Sequence, residues 1–209
     1  MSTLKIWGRA NSVNVQKVLW TCDELGLAFE RTDAGGAFGV VDTPEYRKLN
    51  PNGRVPTLVD DEFVLWESNA IIRYLALKAG DTAIYPQDIR DRARVERWLD
   101  WSLASLQPAE RAMFWGMVRT PPEKRNMAEI EASRDASAAC WTILDEHLAN
   151  RQFVEAGCFT LADVVLGAYV HRWYAVPDIE RPDFPNLAAW YERLRQRPAY
   201  AKHVAITLT

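Results

Sequence analysis

Cysteine is scarce in this chain, and the three cysteines present are far apart. The 209 residues contain only Cys22, Cys140 and Cys158, with no Cys-x-x-Cys pair. An odd and dispersed set of cysteines argues against a disulfide framework and against a zinc site. We therefore expect free thiols, no metal site and a location in the reducing cytoplasm.

An excess of basic charge and a long apolar run are also missing. The chain carries 25 basic and 28 acidic residues, which gives a net charge of −3, and the two kinds are interleaved. No strong attraction to nucleic acid is implied. No apolar run approaches the roughly 20 residues of a membrane span, and the first residues lack the apolar core of a signal peptide. We expect neither nucleic acid nor a membrane as partner.

The first third of the chain alternates strand and helix patterns, and the remainder is helical. Residues 4–7 and 28–32 read as strands on either side of a helix over residues 13–25, which predicts a right-handed parallel crossover. A turn-rich stretch follows at about residues 80–89. Beyond it lie apolar stripes at helical spacing, and Thr160 with Asp163 forms a capping box ahead of a long apolar run.

The most informative segment runs from residue 49 to residue 76. Pro56 fixes its own backbone and keeps Val55 extended, so the main-chain groups of Val55 can point outward. Two β-rich runs interrupted by Asp60-Asp61 predict a hairpin. Ser68 is expected to cap the helix that follows. An extended edge beside a helix N-terminus suits a small peptide-like anion.

These residues carry a resemblance to a known family. The positions and spacing that match are Asn50, Pro51, Gly53, Val55, Pro56, Glu67, Ser68, Ala70 and Ile71. The segment resembles the glutathione-binding half of cytosolic glutathione transferases, in particular bacterial Ser/Asn-type members that are theta-like or nu-like. The resemblance implies a thioredoxin-like α/β domain at residues 1–79, a linker at 80–89 and an all-α domain at 90–209.

The resemblance also implies how glutathione binds as co-substrate. Arg54 would lie near the glycyl carboxylate, and Val55 with a cis Pro56 would form the edge that holds the tripeptide. Glu67 would accept from the α-amino group, and Ser68 would donate to the γ-glutamyl carboxylate.

The expected chemistry is activation of the glutathione thiol by the loop before the first helix. A free thiol has a pKa of about 8.5, and a hydroxyl donor with a helix N-terminus can lower that pKa. Ser12 is the first candidate and Asn14 is its rival, while Asn11 remains a third. The loop lacks the Tyr or Cys that other members of the family use.

The resemblance further implies a small apolar electrophile as second substrate and a homodimer with a detoxifying role. The candidate pocket residues are Ala10, Met113, Trp115, Tyr169 and Trp173. Two alternatives stay open. One is a glutathione-dependent disulfide-bond or peroxide reductase, and the other is a non-catalytic interaction module with the same fold.

Overall fold

Four short strands form a mixed sheet in the first third of the chain. In the computed structural model, which describes residues 3–209, they are Leu4–Trp7 (β1), Phe29–Thr32 (β2), Thr57–Asp60 (β3) and Phe63–Trp66 (β4). The strand order is β2-β1-β3-β4. β1 is parallel to β2, and β3 is antiparallel to both β1 and β4. The predicted hairpin is confirmed, and so is the parallel pairing of the two strands on either side of the first helix.

Three helices accompany the sheet. They are Val13–Glu24 (α1), Pro44–Leu49 (α2) and Ser68–Ala79 (α3). Apolar side chains on α1 and α3 are buried with Leu4 and Ile6 of β1 and Leu58 of β3 in one continuous core. β1 buries alternate residues, as the two-residue period of a strand requires.

The rest of the described chain is helical. Its helices are Ile89–Trp101 (α4), Gln107–Phe114 (α5), Met127–Leu148 (α6), Leu161–Ala175 (α7), Pro185–Arg195 (α8) and Pro198–His203 (α9). A π-helical segment, Ser102–Leu106, joins α4 to α5, and a second one, Trp115–Arg119, follows α5. Pro108 cannot donate the hydrogen bond that a regular helix needs at this point, which accounts for the first irregularity.

The two halves are joined by close packing of α1 against α7 and α9. The Trp20 indole is fully buried and contacts the Tyr200 ring edge-on, with 4.7 Å between centroids. A side chain in place of Gly167 on α7 would come within 3.0 Å of that indole. Glu24 accepts two hydrogen bonds from Arg197, at 2.8 and 2.6 Å. These contacts therefore fix the position of the helical half relative to α1 and the sheet.

Two predictions about helix starts have different outcomes. The capping box of Thr160 and Asp163 is confirmed at the start of α7. The prediction that Ser68 caps α3 is wrong, because Ser68 is the first helical residue and Glu67 occupies the cap with φ of 70°. No helix within residues 3–209 combines the length and apolar character needed to cross a lipid bilayer.

Candidate functional site

A cavity of about 720 Å³ lies between the sheet half and the helical half. Its walls come from the loop between β1 and α1, the segment before Pro56, α5 with the π-helical turn after it, and α7. This volume is within the range of about 300–1,000 Å³ that small-molecule sites occupy.

The segment before Pro56 offers an open main-chain edge on one wall. The Val55-Pro56 peptide bond is cis, as predicted. The Arg54 carbonyl is held by the Tyr46 hydroxyl at 2.7 Å and by the Asn50 side-chain amide at 2.9 Å. Within residues 3–209, Val55 makes no main-chain hydrogen bond of its own. Its N–H and C=O are therefore available to a ligand that pairs as a strand does.

The start of α3 combines a strained residue with a buried hydroxyl. Glu67 is exposed and adopts a positive φ that non-glycine residues rarely populate, a feature that clusters at binding and catalytic sites. Ser68 is buried, with 4% of its surface exposed. Neither residue, nor Pro56, is among those that line the 720 Å³ cavity. Glu67 and Ser68 therefore extend the open edge beyond the cavity and are not part of its wall.

The loop before α1 contributes Ser12 and Asn14 to the cavity wall. Ser12 precedes α1, yet its side chain does not cap the helix and has no hydrogen-bond partner in the described part of the chain. The Asn14 side-chain oxygen is buried and also unpaired. Asn11 lies off the wall and donates to the Thr209 hydroxyl at 2.5 Å. Of the three candidates, Ser12 and Asn14 line the cavity and Asn11 does not.

The helical wall differs from the predicted one. Trp115 and Tyr169 line the cavity, as expected. Met113 and Trp173 are fully buried and absent from the lining. The Met113 main-chain N–H donates to Ser133 of α6, which places Met113 at the α5–α6 contact.

Two more of the predicted pocket residues have other surroundings. Trp173 contacts Trp141 and Phe184 within the helical core. Ala10 lines a separate hollow beside Asp23 and His203. Spacing of four residues along α7 therefore did not identify the cavity face, because α7 is buried on nearly all sides.

Charged groups that the sequence analysis missed dominate the cavity wall. Five arginines and a single acidic residue line it: Arg9, Arg54, Arg111, Arg119, Arg172 and Glu110. Only Arg54 was expected there. The available signal was Arg172 in the long apolar run of α7, since ionisable side chains are rarely buried without a partner.

Glu110, Arg172 and Tyr169 form a buried polar group at the helical wall. An Arg172 nitrogen lies 3.6 Å from a Glu110 carboxylate oxygen, and the guanidinium stacks on Phe114 at 3.8 Å. Burial raises the pKa of Glu110 to about 7, although Arg172 opposes that shift. Burial and Glu110 both raise the pKa of Tyr169, whose hydroxyl is buried and unpaired. This wall therefore contains buried polar atoms whose hydrogen-bonding capacity is not met within residues 3–209.

The cysteines and metal-ligating residues offer no competing centre in residues 3–209. All three cysteines are free, and burial raises the pKa of Cys22 to about 12, which leaves its thiol protonated and inert. No group of three or more His, Cys, Asp or Glu side chains is arranged to hold a metal ion in that range.

The sheet, its cis-proline edge and the helical half together define a thioredoxin-like N-terminal domain followed by an all-α C-terminal domain. Family models agree with this class. Residues 2–77 match the glutathione S-transferase N-terminal domain, and residues 127–193 match the glutathione S-transferase C-terminal domain.

Individual proteins give the same result. The chain is 40% identical to glutathione S-transferase GstB of Escherichia coli K12, over 99% of this chain and 100% of that one. It is 31% identical to glutathione S-transferase 3 of Zea mays, over 98% and 95% of the two chains. Among solved structures, the theta class glutathione S-transferase of Xanthomonas axonopodis pv. citri with glutathione bound matches at 47% identity, with a TM-score of 0.96 and full coverage of both chains. The chain belongs to the glutathione S-transferase family and is an enzyme of that family.

Proposed function

We propose that this enzyme transfers the glutathione thiolate to an electrophilic carbon of a small substrate with an apolar body. The observation that carries the proposal is the Ser12 hydroxyl. It lies on the cavity wall at the N-terminus of α1 and has no hydrogen-bond partner within residues 3–209. A ligand sulfur beside it would receive a hydrogen bond and the favourable field of the helix end.

The tripeptide is assigned to the open edge. The unpaired N–H and C=O of Val55 support strand-like pairing with the backbone of glutathione, and Arg54 on the same wall suits the glycyl carboxylate. Glu67 and Ser68 at the start of α3 suit the amino group and carboxylate of the γ-glutamyl end. The relative from Xanthomonas axonopodis pv. citri, which has glutathione bound, supports glutathione as the ligand and a theta-like class.

The chemical step needs the thiolate. Lowering the thiol pKa by about two units corresponds to about 2.7 kcal/mol of differential stabilisation of the anion. Ser12 donates its hydroxyl hydrogen to the sulfur, and the Asn14 amide supplies a second contact. The thiol proton passes to solvent, the sulfur electron pair forms the new C–S bond, and the leaving group departs with the electrons of the bond that breaks.

A pair of substitutions tests the role of Ser12. We expect Ser12→Ala to raise the pKa of bound glutathione and to lower kcat by roughly ten- to a hundredfold, the range for a lost hydrogen bond to a charged group. Asn14→Ala should have a smaller effect. Thiolate absorbance and steady-state rates measure both. Thr82→Ala, which removes an exposed hydroxyl in the turn after α3, is the matched control. Unchanged absorbance and rate in Ser12→Ala, with both lost in Asn14→Ala, would transfer the role to Asn14.

Two alternatives are separated by assay. Parallel assays with an aryl halide and with a small disulfide distinguish conjugation from a glutathione-dependent reductase, since turnover of the disulfide alone would replace the present proposal. A non-catalytic module is disfavoured by the 40% identity to an enzyme of the family over the full chain. Homodimerisation, a detoxifying role and a cytoplasmic location follow from the family as further expectations. Sedimentation equilibrium tests the first of them.

A further inference from the structure

The cavity wall carries more positive charge than its own acidic group can neutralise. Five guanidinium groups face a single carboxyl group in the lining. They come from four separate parts of the chain: the β1–α1 loop, the segment before Pro56, α5 with the turn after it, and α7. Because several folded elements deliver like charges to the same space, the excess is a property of the cavity rather than of one charged segment.

Most of these arginines lack an anionic partner. Within residues 3–209, the side chains of Arg9 and Arg111 make no hydrogen bond or ion pair. Arg119 donates to the main-chain oxygen of Thr209, the last residue of the sequence, at 3.3 and 3.2 Å, and has no Asp or Glu partner. Arg172 alone has a carboxylate nearby, that of Glu110 at 3.6 Å.

Glu110 neutralises only part of the positive charge in the cavity, and the guanidinium groups repel one another. With a pKa raised to about 7 by burial, Glu110 is only partly ionised near neutral pH. Burial lowers the pKa of Arg9, and the positive charge of Arg172 lowers it further. Burial also lowers the pKa of Arg119, and the charges of Arg9 and Arg172 add to that shift. Half-buried like charges that line one cavity favour an incoming anion.

The negative charges of glutathione neutralise only part of the excess positive charge in the cavity. On the proposed function, on which this inference rests, Arg54 binds the glycyl carboxylate, and the γ-glutamyl end lies at Glu67 and Ser68. The thiolate adds one negative charge beside Ser12. Arg9, Arg111 and Arg119 then remain without an Asp or Glu partner and without a charged group of glutathione. Arg111 is exposed, whereas Arg9 and Arg119 are half-buried in the wall.

We propose that the second substrate carries an anionic group, a carboxylate or similar oxyanion, and that Arg9 and Arg119 bind this group. The apolar body of the substrate lies against Trp115, Pro108 and Val13, which share the wall. This assignment narrows the expected apolar electrophile to one with a negative charge attached.

The test uses two electrophiles that differ only in charge: 4-chloro-3-nitrobenzoate and its methyl ester. In both, the thiolate forms a C–S bond at the chlorinated carbon and chloride leaves with the C–Cl electrons. Rates are divided by the uncatalysed rate with glutathione. We expect the wild-type enzyme to prefer the acid. Arg9→Gln and Arg119→Gln should raise KM for the acid by roughly ten- to a hundredfold, with little change for the ester.

Two further variants control for charge and folding. Arg90→Gln removes an exposed guanidinium at the start of α4, outside the cavity, and should leave both substrates unaffected. Arg9→Lys keeps the positive charge and should restore part of the preference for the acid. Circular dichroism checks that each variant is folded.

Binding measured without turnover separates this inference from the proposed function. Calorimetric titration of each benzoate into enzyme saturated with S-methylglutathione should show tighter binding of the acid, lost in Arg9→Gln and Arg119→Gln. If that result holds while neither compound is conjugated, the proposed function fails and the anion site stands. Equal binding of acid and ester would overturn the inference. The inference would also be overturned if the variants raise KM for glutathione equally with both electrophiles and leave the preference for the acid over the ester unchanged.

Discussion

The two walls of the cleft are built in different ways. The side assigned to glutathione, the contiguous wall, comes from one stretch of chain. Arg54 and Val55 line the cavity, and Glu67 and Ser68 extend the edge beyond it. The opposite wall is assembled from side chains of residues 9, 107–119 and 169–172, which meet only in the folded protein. The contiguous wall suits a ligand that is the same in every reaction, as glutathione is. The opposite wall, the assembled wall, can change its charge and shape by side-chain substitution without disturbing the backbone.

The helical wall depends on the anchoring of α7, and breaking that anchor should have the largest effect. The buried Asp163 carboxylate accepts hydrogen bonds from the Val154 and Thr160 main-chain N–H groups, the Thr160 hydroxyl and the Trp190 indole, at 2.9–3.1 Å. Asp163→Ala leaves these donors without an acceptor, and each buried unpaired group costs about 1–3 kcal/mol.

We therefore expect Asp163→Ala to lower the free energy of unfolding by on the order of 4 kcal/mol, measured by denaturant titration. Asp135→Ala, which removes an exposed acid on α6, is the control and should change it by less than about 0.5 kcal/mol. A loss below about 1 kcal/mol in Asp163→Ala would show that α7 is held by apolar packing alone.

The contrast between the walls also explains which features of the fold and the site could be predicted from the sequence. The parallel crossover, the hairpin and the edge at Val55 could be predicted because each rests on local residue chemistry. The cap of α3 could not, since Glu67 occupies it with a positive φ that its residue type does not favour. Arg9, Arg119 and Arg172 escaped prediction because no local pattern indicates that distant arginines converge.

Ser68→Ala tests the contiguous wall. Loss of a hydrogen bond to a ligand carboxylate costs about 1.5–3 kcal/mol, so KM for glutathione should rise roughly ten- to a hundredfold while kcat at saturation is largely retained. Because Ser68 is not the cap of α3, the melting temperature should change little. An unchanged KM with a collapsed kcat would mean that Ser68 faces the sulfur.

Glu110→Gln tests the charge balance of the assembled wall through pH. The folded state holds the Glu110 proton up to a pKa of about 7, whereas the ordinary value is 4.5. Between these values the folded protein binds the extra proton, so this group makes stability fall as pH rises from 4.5 to 7. The slope for one proton is at most about 1.4 kcal/mol per pH unit.

We expect Glu110→Gln to remove that decline relative to wild type, as measured by urea unfolding across the window. Lys17, whose pKa burial lowers to about 7 from 10.5, has the opposite dependence and acts only above pH 7, so it does not interfere. Parallel curves for wild type and Glu110→Gln would show that Glu110 is ionised throughout and that Arg172 is fully compensated.

The smallest effect is expected for Tyr46→Phe, which asks whether the two walls act independently. The Tyr46 hydroxyl donates to the Arg54 carbonyl and contacts the Thr57 hydroxyl at 2.9 Å. The Arg54 carbonyl keeps the Asn50 amide as a donor, so the edge should shift little. We expect a loss of about 1 kcal/mol in stability and a rise of about threefold in KM for glutathione, measured by unfolding and steady-state kinetics. The preference for the acid over its methyl ester should not change, because Arg9 and Arg119 do not contact Tyr46. A changed preference would show that the main-chain edge positions the arginines, and that the contiguous wall and the assembled wall are one mechanical unit.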